Sequence, residues 1–254
     1  MKVIIHGASG RMGNAVYTAL CKENDVTGIA FVDKFMPDYP LGLPQKVTET
    51  ALELTLLKED YDVLVDFSNH VTTLPVTNFA IDKKIPTVIC TTGQTEDELT
   101  LIKQASKKTA IFYSGNMSVG VAVLGNAVKN AVLAMKDAEI EIIETHHDKK
   151  LDAPSGTALM LADFVKEARP EMTVLTGRNG FMKKQKDEIG ISSIRYGSIV
   201  GIHEVIISTD TETLSFKHQA HTRAVFADGA VAAVKYLFNK SAGLYDMKML
   251  LSGK

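Results

Sequence analysis

Tryptophan is absent, cysteine occurs twice, and no apolar run approaches the roughly 18 residues needed to span a bilayer. Each shortage excludes something. Cys21 and Cys90 stand far apart and outside any metal-ligand spacing, so neither a disulfide framework nor a metal site is expected, and a reducing compartment is implied. No stretch combines a basic n-region, an apolar h-region and a cleavage site, so the expected location is the cytoplasm, with no membrane partner. A formal net charge of -2 gives no reason to expect nucleic acid. At 254 residues, 45% hydrophobic and 23% charged, the chain suits one large or two small globular domains.

What is present is concentrated in one stretch, Ile143 to Ala158, I-E-T-H-H-D-K-K-L-D-A-P-S-G-T-A. Ala138 to Thr145 reads as a strand, which puts His146 and His147 at its end, where strand gives way to loop. Ser155 is placed to cap a helix running from about Ala158 to Ala168. The Gly156 and Thr157 amides then offer an anion site favoured by the helix dipole, with the Lys150 ammonium beside it. Histidine can donate a proton near neutral pH because its unperturbed pKa is about 6.5. Taken singly these are a loop histidine, a solvated lysine pair and a capping sequence. Together they point to a carboxylate-binding loop with an acid at hand.

The N-terminus carries the second signal. Lys2 to His6 is a short buried-type strand that runs into G-A-S-G-R-M-G, Gly7 to Gly13, and then into a helical pattern through Leu20. Strand, glycine turn and helix in that order begin a dinucleotide-binding unit, although the spacing is G-x-x-G-x-x-G. A second strand, Val26 to Val32, ends at Asp33, where a carboxylate can accept hydrogen bonds from the adenosine ribose. Lys34 follows, and with Arg11 it could meet a 2′-phosphate, so weak discrimination between NADH and NADPH is expected.

Phe35 to Thr50 reads as an irregular connection, followed by a helix near Glu49 to Lys58. Strands at Asp62–Asp66, Thr87–Cys90 and Ala110–Tyr113 then alternate with helices at about 70–83 and 96–107, implying a parallel sheet. The carboxyl ends of these strands, including Cys90-Thr91-Thr92 and Ser114-Gly115-Asn116, are small or polar and suit a cofactor groove. After a long apolar helix from Met117 to Lys136 the alternation stops. A charged loop, Gly177 to Gly190, leads into strands near 194–196, 203–208 and 213–218, and a last amphipathic helix spans Thr222 to Asn239. The fold class is therefore α/β: a Rossmann-type parallel-sheet domain (1–117 and 227–254) plus an α+β domain (118–226).

The motif E-I-I-E-T-H-H-D-K-K-L-D-A-P-S-G-T-A, Glu141 to Ala158, resembles the signature of the dihydrodipicolinate reductase (4-hydroxy-tetrahydrodipicolinate reductase) family of lysine (diaminopimelate) biosynthesis. The likeness extends along the chain through G-A-S-G-R-M-G, T-T-G at Thr91, S-G-N-M-S-V-G-V at Ser114, G-R-N-G at Gly177, I-R-Y-G-S-I-V-G-I-H at Ile194 and F-A-D-G-A at Phe226. It implies hydride transfer from NADH or NADPH to a cyclic imine dicarboxylate, with loss of water. By the resemblance His146 is the proton donor, Lys150 assists protonation and binds a carboxylate, and His147, Gly156 and Thr157 contact substrate. The cofactor contacts it implies are Gly7, Ala8, Ser9, Gly10, Arg11, Met12, Asp33, Lys34, Cys90, Thr91, Thr92, Ser114, Gly115, Asn116 and Met117. It further implies a homotetramer formed through the second domain. Ser9, Cys90 and Ile202 depart from the family's commoner residues. Two other readings remain: another reductase on the same fold, which would lack His146-His147-x-x-Lys150 before Pro154-Ser155-Gly156-Thr157, and a nicotinamide sensor, which would need no proton donor.

Overall fold

The structure is a computed structural model that describes residues 1–36 and 42–253. It divides into two compact units, Met1–Met117 with Arg223–Lys254, and Ser118–Thr222. The second crossing falls at 222/223, ahead of the expected 226/227, because the returning helix packs whole in the first unit.

The first unit opens with β1 (Lys2–His6), α1 (Arg11–Cys21), β2 (Gly28–Val32) and β3 (Val47–Ala51). It continues with β4 (Val63–Asp66), α2 (Thr73–Lys83), β5 (Thr87–Ile89), α3 (Glu96–Ala105) and β6 (Ala110–Tyr113). The second unit consists of α4 (Val119–Ala134), β7 (Glu139–His146), α5 (Gly156–Ala168), β8 (Thr173–Thr176), β9 (Glu188–Arg195), β10 (Gly201–Ser208) and β11 (Thr213–Ala220). The chain then returns to the first unit as α6 (Ala224–Leu237), β12 (Gly243–Tyr245) and α7 (Met247–Ser252).

Seven parallel strands form the first sheet, in the order β12-β6-β5-β4-β1-β2-β3. Its inner strands are apolar runs because both faces are covered, whereas the edge strand β3 is more polar. Ile4, Leu64, Ile89 and Ile111 pack with Val76, Phe79 and Ala80 of α2 and Ile102 of α3. Val3, Ile5, Val63 and Val65 are equally buried on alternate positions. The chain reverses direction across the sheet between β1 and β4, and that switch point is where ligands collect in such folds. Gly7 makes the turn out of β1 with φ +82. A Cβ there would stand 2.6 Å from Phe67 O, and one on Gly13 would stand 2.2 Å from Gly7 O, so the first and last glycines of the motif are steric requirements. Gly7→Ala is expected to cost more than about 1 kcal/mol of stability, read as a lower urea midpoint; an unchanged midpoint would contradict the turn geometry.

The second sheet has the order β11-β10-β7-β9-β8, antiparallel across β11-β10-β7 and parallel across β7-β9-β8. Helices α4 and α5 cover one face, burying Leu124, Val128, Leu161 and Val165 against Ile140, Ile142, Val205 and Ile207.

Several expected elements differ. The helix expected over Glu49–Lys58 is strand β3 followed by a single 3-10 turn at Leu54–Leu56. V-T-E-T-A is rich in β-branched residues (Val47, Thr48 and Thr50) and pairs with β2, which outweighs the helix formers after it. That strand also closes the irregular connection expected over 35–50, of which residues 37–41 lie outside the described residues. Strand β9 begins at Glu188, inside the expected charged loop, because Glu188 is buried with Arg178 as its ion-pair partner. Strands β8 and β12 and helix α7, three to six residues long, are additional to the expected elements. No helix among the described residues is long and apolar enough to cross a membrane.

Candidate active site

In the first unit a cavity of about 380 Å³ lies at the carboxyl ends of β1, β2 and β4, lined by Gly7, Ser9, Gly10, Asp33, Lys34 and the segment from Phe67 to Asn69, among others. Gly10 is the N-cap of α1 and brings no side chain to the helix amides, so Arg11 and Met12 present backbone N–H groups at a helix start. Asp33 accepts from Ser9 Oγ at 2.5 Å and Ser9 N at 3.1 Å. Burial pushes its carboxyl up, but the hydrogen bonds from Ser9 and Phe35 outweigh it and hold the group below the usual range. These residues fit a dinucleotide: a glycine cradle, an anion-seeking helix start, and an ionised acceptor at the end of β2.

The other expected cofactor contacts lie in the same unit outside this cavity's lining. Ala8 is buried within the turn. Cys90 is buried, and burial pushes its thiol up, which suits an inert packing role. Thr91 is buried with Oγ1 2.6 Å from Asp66 Oδ2, while Thr92 is exposed. Ser114, Gly115, Asn116 and Met117 follow β6, with Ser114 Oγ donating to Asn116 O at 2.7 Å. Asp66, which the sequence reading passed over, also meets His6 Nδ1 at 2.8 Å and Ser68 Oγ at 2.5 Å, tying together the ends of β1 and β4.

In the second unit His146 is the last residue of β7 and only 7% exposed, so it is a strand-end group inside the fold and not a loop residue. Strand periodicity puts Glu144 on the same face. Its Oε2 lies 2.5 Å from His146 Nδ1, and the side chain is completely buried. Arg195, beside His146 across the β7–β9 ladder, grips the same carboxylate with Nη1 to Oε2 at 2.9 Å and Nη2 to Oε1 at 2.6 Å. Burial alone would push the Glu144 carboxyl up; hydrogen bonds led by Arg195 reverse this and hold it down to about 2. His146 is pushed below its ordinary value chiefly by burial, with Lys150 and Arg195 adding to the effect and Glu144 opposing it.

Ser155 caps α5, accepting from Ala158 N at 3.2 Å, and its own N–H donates to Glu144 Oε1 at 3.2 Å. The Ser155 hydroxyl lies 3.0 Å from His203 Nε2. Burial holds His203 down at about 3, so it is neutral. Its ring meets that of His146 edge to face, with centroids 5.1 Å apart. The start of α5 is open: a Cβ on Gly156 would meet nothing within 4 Å. Lys150 Nζ is paired with Asp152 Oδ1 at 2.8 Å, and His147 is half-buried with its N–H on Ile199 O at 2.9 Å. Thr157 follows Gly156 in the first turn of α5.

Glu144, His146 and His203 together place ligand-type atoms within 4.8 Å of one another, a grouping the sequence reading did not foresee. Both Glu144 oxygens are already engaged by Arg195, so the grouping reads as a hydrogen-bonded relay and not a metal cage. Glu144, Arg195 and His203 were all missed as functional candidates. The i, i+2 spacing of Glu144 and His146 was the available signal for the first. Arg195 and His203 stand in the I-R-Y-G-S-I-V-G-I-H motif, but their place beside His146 depends on how β9 and β10 pair with β7. Ile202 pairs with Thr145 and lies on the opposite face from His203, so its departure from the family does not touch this cluster.

Comparison with known proteins identifies both halves. The family described as "Dihydrodipicolinate reductase, N-terminus" matches residues 1–117, and "Dihydrodipicolinate reductase, C-terminus" matches residues 120–251. The 4-hydroxy-tetrahydrodipicolinate reductase of Caldanaerobacter subterraneus subsp. tengcongensis is 42% identical, over 99% of this chain and 98% of its own length. That of Clostridium novyi is 39% identical, over 100% of this chain and 99% of its own. A solved dipicolinate-bound dihydrodipicolinate reductase from Paenisporosarcina sp. TG-14 shares the fold, with a TM-score of 0.78, 22% identity and 97% of each chain covered. Matched in both halves and along its whole length, the chain belongs to the dihydrodipicolinate reductase family.

Proposed function

We propose that this chain reduces 4-hydroxy-tetrahydrodipicolinate to tetrahydrodipicolinate, with loss of water, in lysine (diaminopimelate) biosynthesis, using His146 as the proton donor. Family membership makes it an NAD(P)H-dependent oxidoreductase. The observation that carries the proton-donor role is His146 buried on an ionised Glu144 within one hydrogen-bonded cluster that also contains the start of α5.

Reduced nicotinamide, when bound, supplies the hydride. The remainder falls to the chain's own residues. The glycine turn and the α1 start hold the pyrophosphate, and Asp33 accepts from the ribose in competition with Ser9. Lys150 and the α5 start take the substrate carboxylates, with His147, Gly156 and Thr157 as further contacts; an arriving carboxylate replaces Asp152 on Lys150. Protonation of the carbon next to the site of hydride addition needs an acid, and His146 Nε2–H provides it.

The same reading places the enzyme in the cytoplasm, where NADH and NADPH are available, and makes it a homotetramer. The uncovered face of the second sheet supports association: Ile143, Ile202 and Ile206 are half-buried there and Ile194 is 44% exposed.

The pH dependence tests the acid. In the free protein His146 titrates below about 6.5, so kcat/KM is expected to fall as pH rises through a midpoint below that value. Bound carboxylates favour the imidazolium, so kcat at saturating substrate is expected to fall only at higher pH. Coincident midpoints, or a kcat/KM midpoint above 6.5, would assign the proton to another group.

A further inference from the structure

We propose that Glu144 and Arg195 are positioning residues for proton transfer, Glu144 fixing which ring nitrogen of His146 carries the mobile proton and Arg195 limiting how tightly that proton is held. This deepens the reductase reading and rests on it only for its consequence in turnover.

The geometry supports it from both sides. The Glu144 carboxylate receives His146 Nδ1 and Arg195 Nη1 on Oε2, Arg195 Nη2 and the Ser155 amide on Oε1, and a further hydrogen bond from the Ser193 side chain. An ionised carboxylate accepts only, so Nδ1 must donate to it, and neutral His146 is left with a bare Nε2. Nε2 is therefore the nitrogen that gains and gives the proton. It lies on the side of the ring where Gly201 has no side chain, a Cβ there standing 3.1 Å away.

Glu144 by itself would overdo the task. A buried carboxylate 2.5 Å from an imidazole favours the imidazolium and would keep the proton from being given up. Arg195 spends its bidentate face on that carboxylate and also donates to Asp152 O at 2.7 Å, so one guanidinium offsets the Glu144 charge and pins the loop that ends at Ser155. The groups facing His146 are thus Glu144 from its own strand, Arg195 from β9, neutral His203 from β10 and Lys150 from the loop. Two favour the neutral ring and one the charged ring.

The test is 15N-detected NMR of histidine in the free protein, with the His146 signals assigned by their loss in His146→Gln. Neutral His146 is expected as the Nδ1–H tautomer in the wild type, a measurement that needs no variant to fold. Arg195→Met is expected to move the His146 titration up by about one pH unit or more, and Glu144→Gln to move it down. In turnover Glu144→Gln is expected to lose about tenfold or more in kcat with KM little changed, while Arg195→Lys restores most of the wild-type titration. An Nε2–H tautomer in the wild type, or shifts in the same direction for both variants, would overturn the proposal. Because the titration is read without substrate, a chain inactive on this substrate would defeat the reductase reading alone.

Discussion

His146→Gln is expected to lower kcat by about a hundredfold to ten-thousandfold, the range typical of a lost general acid, with NADPH binding unchanged. The glutamine amide can still donate one hydrogen bond to Glu144, so the buried ion pair with Arg195 keeps its other contacts. What disappears is a titratable proton on the atom facing away from Glu144. Cofactor affinity should be indifferent, because the cavity proposed for the dinucleotide belongs to the first unit, around Gly7, Gly10 and Asp33. A variant that lost cofactor binding together with turnover would show that the substitution had disturbed more than the acid. One that retained wild-type kcat would remove His146 from the chemistry.

Lys150→Met comes next in expected size. A charge-assisted hydrogen bond contributes about 1.5–3 kcal/mol, so KM for the dicarboxylate should rise by roughly tenfold to a hundredfold. Losing the ammonium should also lower kcat, since the substrate carboxylate proposed to bind it would orient the substrate. The cost to stability should be small: among the described residues Lys150 is ion-paired with Asp152, whose side chain is 59% exposed. A second effect follows from the electrostatics. Lys150 is one of the cations that depress His146, so its removal should move the alkaline fall of kcat/KM to higher pH. Steady-state kinetics across pH read both effects together; an unchanged KM would mean that the carboxylates are held elsewhere.

Much of this was legible in the sequence because the decisive signals are local. A strand, a glycine turn and a helix start lie consecutively in Lys2 to Leu20, and the structure realises them as β1, Gly7 and α1. The Ser155 cap and helix α5 follow from Pro-Ser-Gly-Thr in the same way. The strand at 47–51 was misread because its helix-forming neighbours carried more weight than five residues whose partner strand, β2, is remote in sequence. The buried relay was only half visible. Glu144 stands two residues from His146, a spacing that already implies a shared strand face, yet a glutamate in an I-E-I-I-E run reads as the solvent side of the strand. Arg195 and His203 reach the cluster through the β7–β9 and β7–β10 registers, which depend on sheet order and cannot be read along the chain. Long-range pairing, and not residue chemistry, is what hid them.

The central claim is that this chain reduces a cyclic imine dicarboxylate with a reduced nicotinamide. The most direct measurement is the initial rate of NADH and NADPH oxidation on adding enzymatically generated 4-hydroxy-tetrahydrodipicolinate to the wild-type protein. Substrate-dependent oxidation of at least one of the two cofactors is the expected result. Oxidation of neither, by a folded protein that binds cofactor, would contradict the account.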